Sequence, residues 1–560
     1  MDSRYAISLV LSANLPFIKK FNAPPRRIAL PDDLAAESGA EAENEKAEEI
    51  LPVSSGLLPE TIEESWFFET LSETYLPLLD MFARLEEDQV PFRLGLSISP
   101  IFVQMLYDEK LVKKFNEYLN HQIDFGMEEI TRVKNDPGMY RLAKAYVDKM
   151  TDRQAVFTGR YNGSIIKAFE HHRRKGRIEF LATAATNAFL PFLCHFPEAV
   201  AAQIEVALSS YRHSLAIASQ GFWLPDMGWT KELDSFLRAY GFSYTIVDSQ
   251  GMVFGDPPPA RGTFFPVKTP EGLVILGRDF NAMADIAALQ KDGLYRDNSG
   301  DIGYELPVEA LEMFLSKNGA RVSTGFKYWK MAGNNRELYD SAAAQSLVQQ
   351  HARAFLENSR KRLAAAAAHI KEQPLSLCAC NADSFGRHWH EGPWFLEALF
   401  RSAEEFDELQ FMTPSEYLSQ KPKSSFETSC PEFSSWGENG YAEVWLDSSN
   451  DWIYRHLNRA IERMVELAER YSESSSLKER ALNQAAREIM LAQTSDWPAF
   501  LYRQESTEYA RLQLETSLQN FTTIYESLGS SHINTEWLTS LERQHNIFPN
   551  INYRVFRKKR

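Results

Sequence analysis

Two short segments carry the residues best suited to chemistry: Gly221 to Trp229, GFWLPDMGW, and Cys380 to Leu396, CNADSFGRHWHEGPWFL. Each reads as a short apolar strand that breaks at a polar residue. In a fold of alternating strands and helices, reactive groups collect at such strand ends. The first segment delivers a carboxylate, Asp226. The second delivers Asn381 and then Asp383, which on a strand faces the same side. Two carboxyl groups about 5 Å apart are what a retaining glycosidase needs, one to attack the sugar and one to protonate the leaving oxygen. Asn381 can do neither, because an amide has no acidic proton. The remaining pair is Asp226 with Asp383, and a wider separation between them favours inversion. Cys378 and Cys380 lie near His388 and His390, which suggests zinc, but their spacing fits no closed structural site. Cys-x-Cys inside the apolar run Leu375 to Cys380 reads more simply as a buried strand, so neither a metal nor another cofactor is expected.

The net charge of −16 argues against general nucleic-acid binding, which needs clustered Lys and Arg. The only basic cluster is Arg557 to Arg560. Four cysteines in 560 residues cannot form a disulfide framework and suit a reducing compartment. No apolar run reaches the eighteen or so residues needed to cross a bilayer, and Ile7 to Leu11 reads as a first strand and not a leader. These features predict a cytoplasmic protein without a membrane partner.

The elements that must position the two segments follow from periodicity. Short apolar strands are predicted at Tyr5 to Leu11, Phe92 to Ile98, Arg177 to Ala182, Gly221 to Leu224, Tyr244 to Val247, Gly272 to Gly277 and Pro374 to Cys380, with helical patterns between them. Such alternation implies an α/β fold with a parallel sheet, and at this count a closed barrel. A helical insertion is read at about 101–175, and an acidic, Ala- and Ser-rich stretch at about 31–64 is read as a mobile insertion able to recruit a protein partner. After about residue 405 the pattern is helical almost throughout. The division is therefore a barrel over 1–405 and a helical domain over 406–560.

Ordered motifs along nearly the whole chain resemble the α-1,4-glucan branching enzymes of glycoside hydrolase family 57. They include GRIEFLATAATNAFLPFL from Gly176, GFWLPDMGW, Gly277-Arg278-Asp279, NADSFG from Asn381, SSWGENGYAEVWLDSSNDWIYRHL from Ser434 and SDWPAFLY from Ser495. The resemblance implies a distorted (β/α)7-type barrel with a carboxyl-terminal all-helical domain. It also implies that Asp226 stands where the family has its nucleophilic Glu, and Asn381 where it has its Asp acid/base. Histidines of the family are replaced by Ser12, Asn14 and Asn187, whereas Arg278 and Asp279 match. Trp223, Trp389, Trp436 and Trp445 are then expected to line a groove for α-1,4-glucan or a glycogen-like polysaccharide. With both catalytic positions changed, the expected protein is a catalytically impaired or inactive branching-enzyme homologue that binds α-glucan. The alternatives are an active enzyme using Asp226 with Asp383, and a protein-interaction scaffold with a vestigial pocket.

Overall fold

The structure is a computed structural model that describes residues 5–18, 62–311, 314–315, 319–331, 336–473 and 475–559. Most of the acidic stretch, and with it the expected partner surface, lies outside the described residues. Its last residues, from Ile62, open the helix Ile62–Thr70. Among the described residues no helix is long and apolar enough to cross a membrane.

The core is a set of parallel strands: β1 (Tyr5–Ala13), β2 (Leu94–Ile98), β3 (Ile178–Leu181), β4 (Gly221–Phe222), β5 (Tyr244–Val247), β6 (Val267–Lys268), β7 (Val274–Gly277), β8 (Leu375–Asn381), β9 (Leu409–Phe411) and β10 (Glu427–Thr428). From Ala6 to Ala13 every residue of β1 is buried, as expected for a parallel strand covered on both faces. β1 is flanked by β2 and β8, and one sheet runs β3-β2-β1-β8 with β9 also on β1. A second runs β10-β6-β7-β5-β4, in which the β6–β7 pair is antiparallel.

The expected closed barrel does not form; the strands make two sheets. The seam between β3 and β4 is a single bridge, Ala182 to Phe222, in which the Trp223 amide donates to the Ala182 carbonyl at 2.7 Å. On the other side the Asp279 amide donates to the Leu377 carbonyl of β8 at 2.8 Å. The physical reason lies in the chain at each seam. β4 is two residues long and soon meets Pro225, which has no N–H to give to a ladder. β7 stops at Gly277 because Asp279 caps the next helix, Phe280–Leu289.

Helices cover the sheets. Asp108 and Asp136 cap the helices Glu109–Arg132 and Pro137–Ala155, each carboxylate accepting two backbone amides at 2.9–3.2 Å. These two helices form an antiparallel pair over the ends of the strands. Beyond residue 451 the described chain is helical, beginning with Trp452–Arg470, whose apolar residues Ile453, Leu457, Ala460, Ile461, Met464 and Ala468 recur every three or four positions and are buried. The helices Ser476–Ala492, Asp496–Arg503 and Thr507–Gly529 pack beside it.

Candidate active site

Asp226 sits on a tight turn directly after β4. Its φ of 55° and that of Met227, 52°, are both left-handed, although neither residue is glycine. Each such residue costs about 1–2 kcal/mol, so the surroundings must over-determine the turn. They do so from both ends. Met227 and Gly228 donate back to Leu224 and Pro225 at 2.9 Å, and the Trp436 amide donates to the Asp226 carbonyl at 3.1 Å. Trp229, fully buried, gives its indole N–H to the Pro431 carbonyl at 3.0 Å. The turn therefore aims one carboxyl group at a fixed point. Its Oδ2 is buried without a hydrogen-bond partner, and burial pushes the group up to about 6, against the Ser495 hydroxyl and the Trp436 indole, which favour the charged form.

The polar groups around it come from strand ends and from the helical domain. In the parallel register Ser12 stands beside Ser97 on one side and Asn381 on the other. Asn14, just past β1, accepts the Ser99 hydroxyl at 2.7 Å and donates to Asp496 Oδ2 at 3.2 Å. Asn187, itself at φ 53°, donates to Ser495 Oγ at 3.2 Å and takes the Ser495 amide on its carbonyl. Two positions where the resemblance expects imidazoles thus hold amides whose donors are spent on Ser495 and Asp496. They fasten the sheets to the start of the helix Asp496–Arg503. Burial first, and then the negative charge of Asp226, push Asp496 up to about 7. Between about pH 6 and 7 the two carboxyls hold roughly one proton between them.

Sequence reasoning did not single out Asp496. It stood in the SDWPAFLY segment, read there only as a family motif. A carboxylate at the head of a largely apolar helix was the available signal.

The second segment is arranged differently. Asn381 is exposed at the carboxyl end of β8. For Asp383, burial pushes the group up to about 6, the Arg387 charge opposes this and the Glu69 charge adds to it, and Tyr75 feels its field. The carboxyl that accompanies Asp226 is that of Asp496.

The tryptophans also divide. Trp223 is 1% exposed and meets Trp436 edge-on at 5.6 Å. Trp445 is 2% exposed and stacks on Phe189 at 4.5 Å. Trp389, also 2% exposed, lies among Tyr295 and Phe395. Trp436 alone of the four keeps open surface, next to Asp226. Arg278 pairs with Asp248 at 3.1 Å and lies 3.8 Å from Met227 Sδ, so it braces the turn from below. Asp279 caps a helix through the Ala282 amide and accepts the Ser376 hydroxyl at 2.6 Å. The thiols of Cys378 and Cys380 are pushed up by burial, Cys380 to about 12.

Comparison with known proteins identifies the family and the fold. Residues 55–429 match the model of glycosyl hydrolase family 57, and residues 456–556 match that of the 1,4-alpha-glucan branching enzyme C-terminal domain. The 1,4-alpha-glucan branching enzyme of Thermococcus kodakarensis is 26% identical over 485 residues, which are 82% of this chain and 69% of that one. Among solved structures, the alpha-amylase AmyC of Thermotoga maritima superposes with a TM-score of 0.85 at 30% identity, covering 100% of both chains. The branching enzyme of Pyrococcus horikoshii gives 0.82 at 22% identity, covering 100% of this chain and 97% of that one, a likeness of fold. On the match over residues 55–429, the chain belongs to glycosyl hydrolase family 57.

Proposed function

We propose that this protein binds α-1,4-glucan in a cleft formed at the partly open surface of Asp226 and Trp436, and has lost most or all of the chain-transfer activity of the branching enzymes it resembles. The observation that carries the reading is the end of β8, where Asn381 stands exposed in place of an acid, with Asp383 beyond it in the fields of Arg387 and Glu69. A sugar bound over Asp226 meets no carboxylic acid from that strand. General acid help is worth about 100- to 10,000-fold, and Asp226 is one methylene shorter than the family's glutamate, which sets it back from the attacked carbon. What remains suits binding: the Trp436 ring offers an apolar face to a glucose ring, while Asn381 and Ser12 offer hydroxyl partners.

One observation favours a second reading, an enzyme that still turns over slowly through Asp226. The strained turn is intact, and Asp496 near neutrality still carries a proton that a leaving oxygen could take. The scaffold reading rests on a vestigial pocket, which the burial of Trp223, Trp389 and Trp445 supports, and on the acidic stretch, most of which lies outside the described residues.

Trp436→Ala tests the binding reading. Stacking by one platform gives modest affinity, so the wild-type protein should be retarded in a glycogen-containing gel and the variant at least about tenfold less so. Its unfolding free energy should fall by about 1–3 kcal/mol, less than the loss of a fully buried Trp, because the ring packs on Trp223 yet keeps open surface. A wild-type protein that migrates identically with and without glycogen contradicts the proposal.

A further inference from the structure

Away from the cleft, a cavity of about 330 Å³ opens between the helices Leu76–Glu87 and Pro137–Ala155 and the segment His390 to Trp394. Its charge is unevenly paired. Arg84 is clamped to Glu397 at 2.7 Å and Arg160 to Glu87 at 3.0 Å. Lys149 has no carboxylate partner among the described residues; its ammonium lies over the Trp394 ring at 4.7 Å. Arg153, one helical turn on, reaches Asp80 only at 3.7 Å and the Ser72 carbonyl at 3.3 Å. His390 stands on the same wall with its Nε2 buried and without a partner. Lys149 and Arg153 therefore line a space that no side chain fills, with the buried His390 behind them.

We propose that this cavity is a binding site for a phosphate dianion, free or carried on a hexose, distinct from the glucan cleft. A dianion answers the charge that Lys149 leaves open and that Arg153 shares with Asp80 across 3.7 Å, and charge-assisted bonds to guanidinium and ammonium are the strong ones. The volume exceeds what phosphate alone requires. Asp80 and Asp152 on the rim can accept sugar hydroxyls, and the edge of Trp394 can cover a ring. Burial and the neighbouring charges of Arg153 and Arg296 hold Lys149 down at about 8, a strain that a bound anion relieves. The inference goes beyond the glucan reading and stands if that reading fails.

Titration of the full-length protein with inorganic phosphate, glucose 6-phosphate and glucose, at constant ionic strength set with chloride, tests it. Saturable binding of either phosphate compound and none of glucose is expected, and tighter binding of glucose 6-phosphate than of phosphate identifies the sugar-borne source. Lys149→Met, which keeps the aliphatic stem on Trp394, should weaken binding at least about tenfold, as should Arg153→Gln. A measurement that needs no variant is acetylation of Lys149 in the wild-type protein, followed by mass spectrometry. Glucose 6-phosphate should slow it severalfold while other lysines react unchanged. No saturation by 10 mM of either phosphate compound, or full affinity in both variants, overturns the proposal.

Discussion

Trp445→Ala is expected to destabilise the protein by about 3–5 kcal/mol, the cost of emptying a large aromatic site in a packed interior. The indole stacks on Phe189 from the loop after β3 at an interplanar angle of 10°, and Val444 and Ala499 complete its surroundings. Its closeness to the chain is shown at Gly437, where an added Cβ would fall 2.7 Å from the ring. The Tyr454 hydroxyl donates to the Trp445 carbonyl, so the first helix of the helical domain is tied to the same point. Chemical denaturation of the variant should show this loss, and glucan retardation measured on the fraction still folded should fall far less than in Trp436→Ala. A loss below about 1 kcal/mol would mean that Trp445 is a free platform in the cleft and not a seal between sheet and helices.

Asp496→Asn is expected to reshape the dependence of stability on pH. Unfolded, Asp226 and Asp496 titrate near 3.9; folded, burial raises them to about 6 and 7, and the charge of Asp226 adds to the rise at Asp496. The native state therefore binds more protons than the unfolded state between about pH 4 and 7, and stability falls as pH rises through that window. Above it the whole penalty of holding two buried charges together is felt. Asn removes one of them and still accepts the Asn14 amide on its carbonyl oxygen. Urea unfolding at pH 5, 6, 7 and 8 should show the wild-type protein losing stability toward pH 8. The variant should give a flatter profile and be about 1–3 kcal/mol more stable at pH 8. Parallel profiles would show that Asp496 titrates alike in the folded and unfolded states.

The parts of this molecule legible in its sequence are those whose cause is local. Seven of the ten strands followed from short apolar runs, whereas the short β6 and the β9 and β10 of the stretch read as helical did not, and Asp226 followed from its place after Trp-Leu-Pro, where proline ends a strand. The open seams were not legible. Whether two sheets close depends on how many ladder bonds form where β4 gives way to Pro225 and where Asp279 turns its chain into a helix, and a resemblance to a barrel does not count those bonds. The partner of Asp226 was hidden for a related reason. Asp496 comes from a domain 270 residues further on, and only docking of the helices brings it under Asn14. The tryptophans follow the same rule: nothing near Trp445 in the sequence announces Phe189, so a buried seal and an open sugar platform read alike until the chain is folded.

The central claim is that the cleft keeps glucan while the proton-delivering carboxyl of β8 is gone. It is tested most directly by measuring binding and transfer on one preparation. Retardation in glycogen gels would be run beside an iodine-stain branching assay on amylose, with the Thermococcus kodakarensis branching enzyme as reference. The account predicts clear retardation together with transfer at least about 100-fold below the reference, the lower bound set by loss of general acid help. Turnover comparable to the reference, and lost on Asp226→Asn, would contradict it and show a catalytic site rebuilt around Asp226.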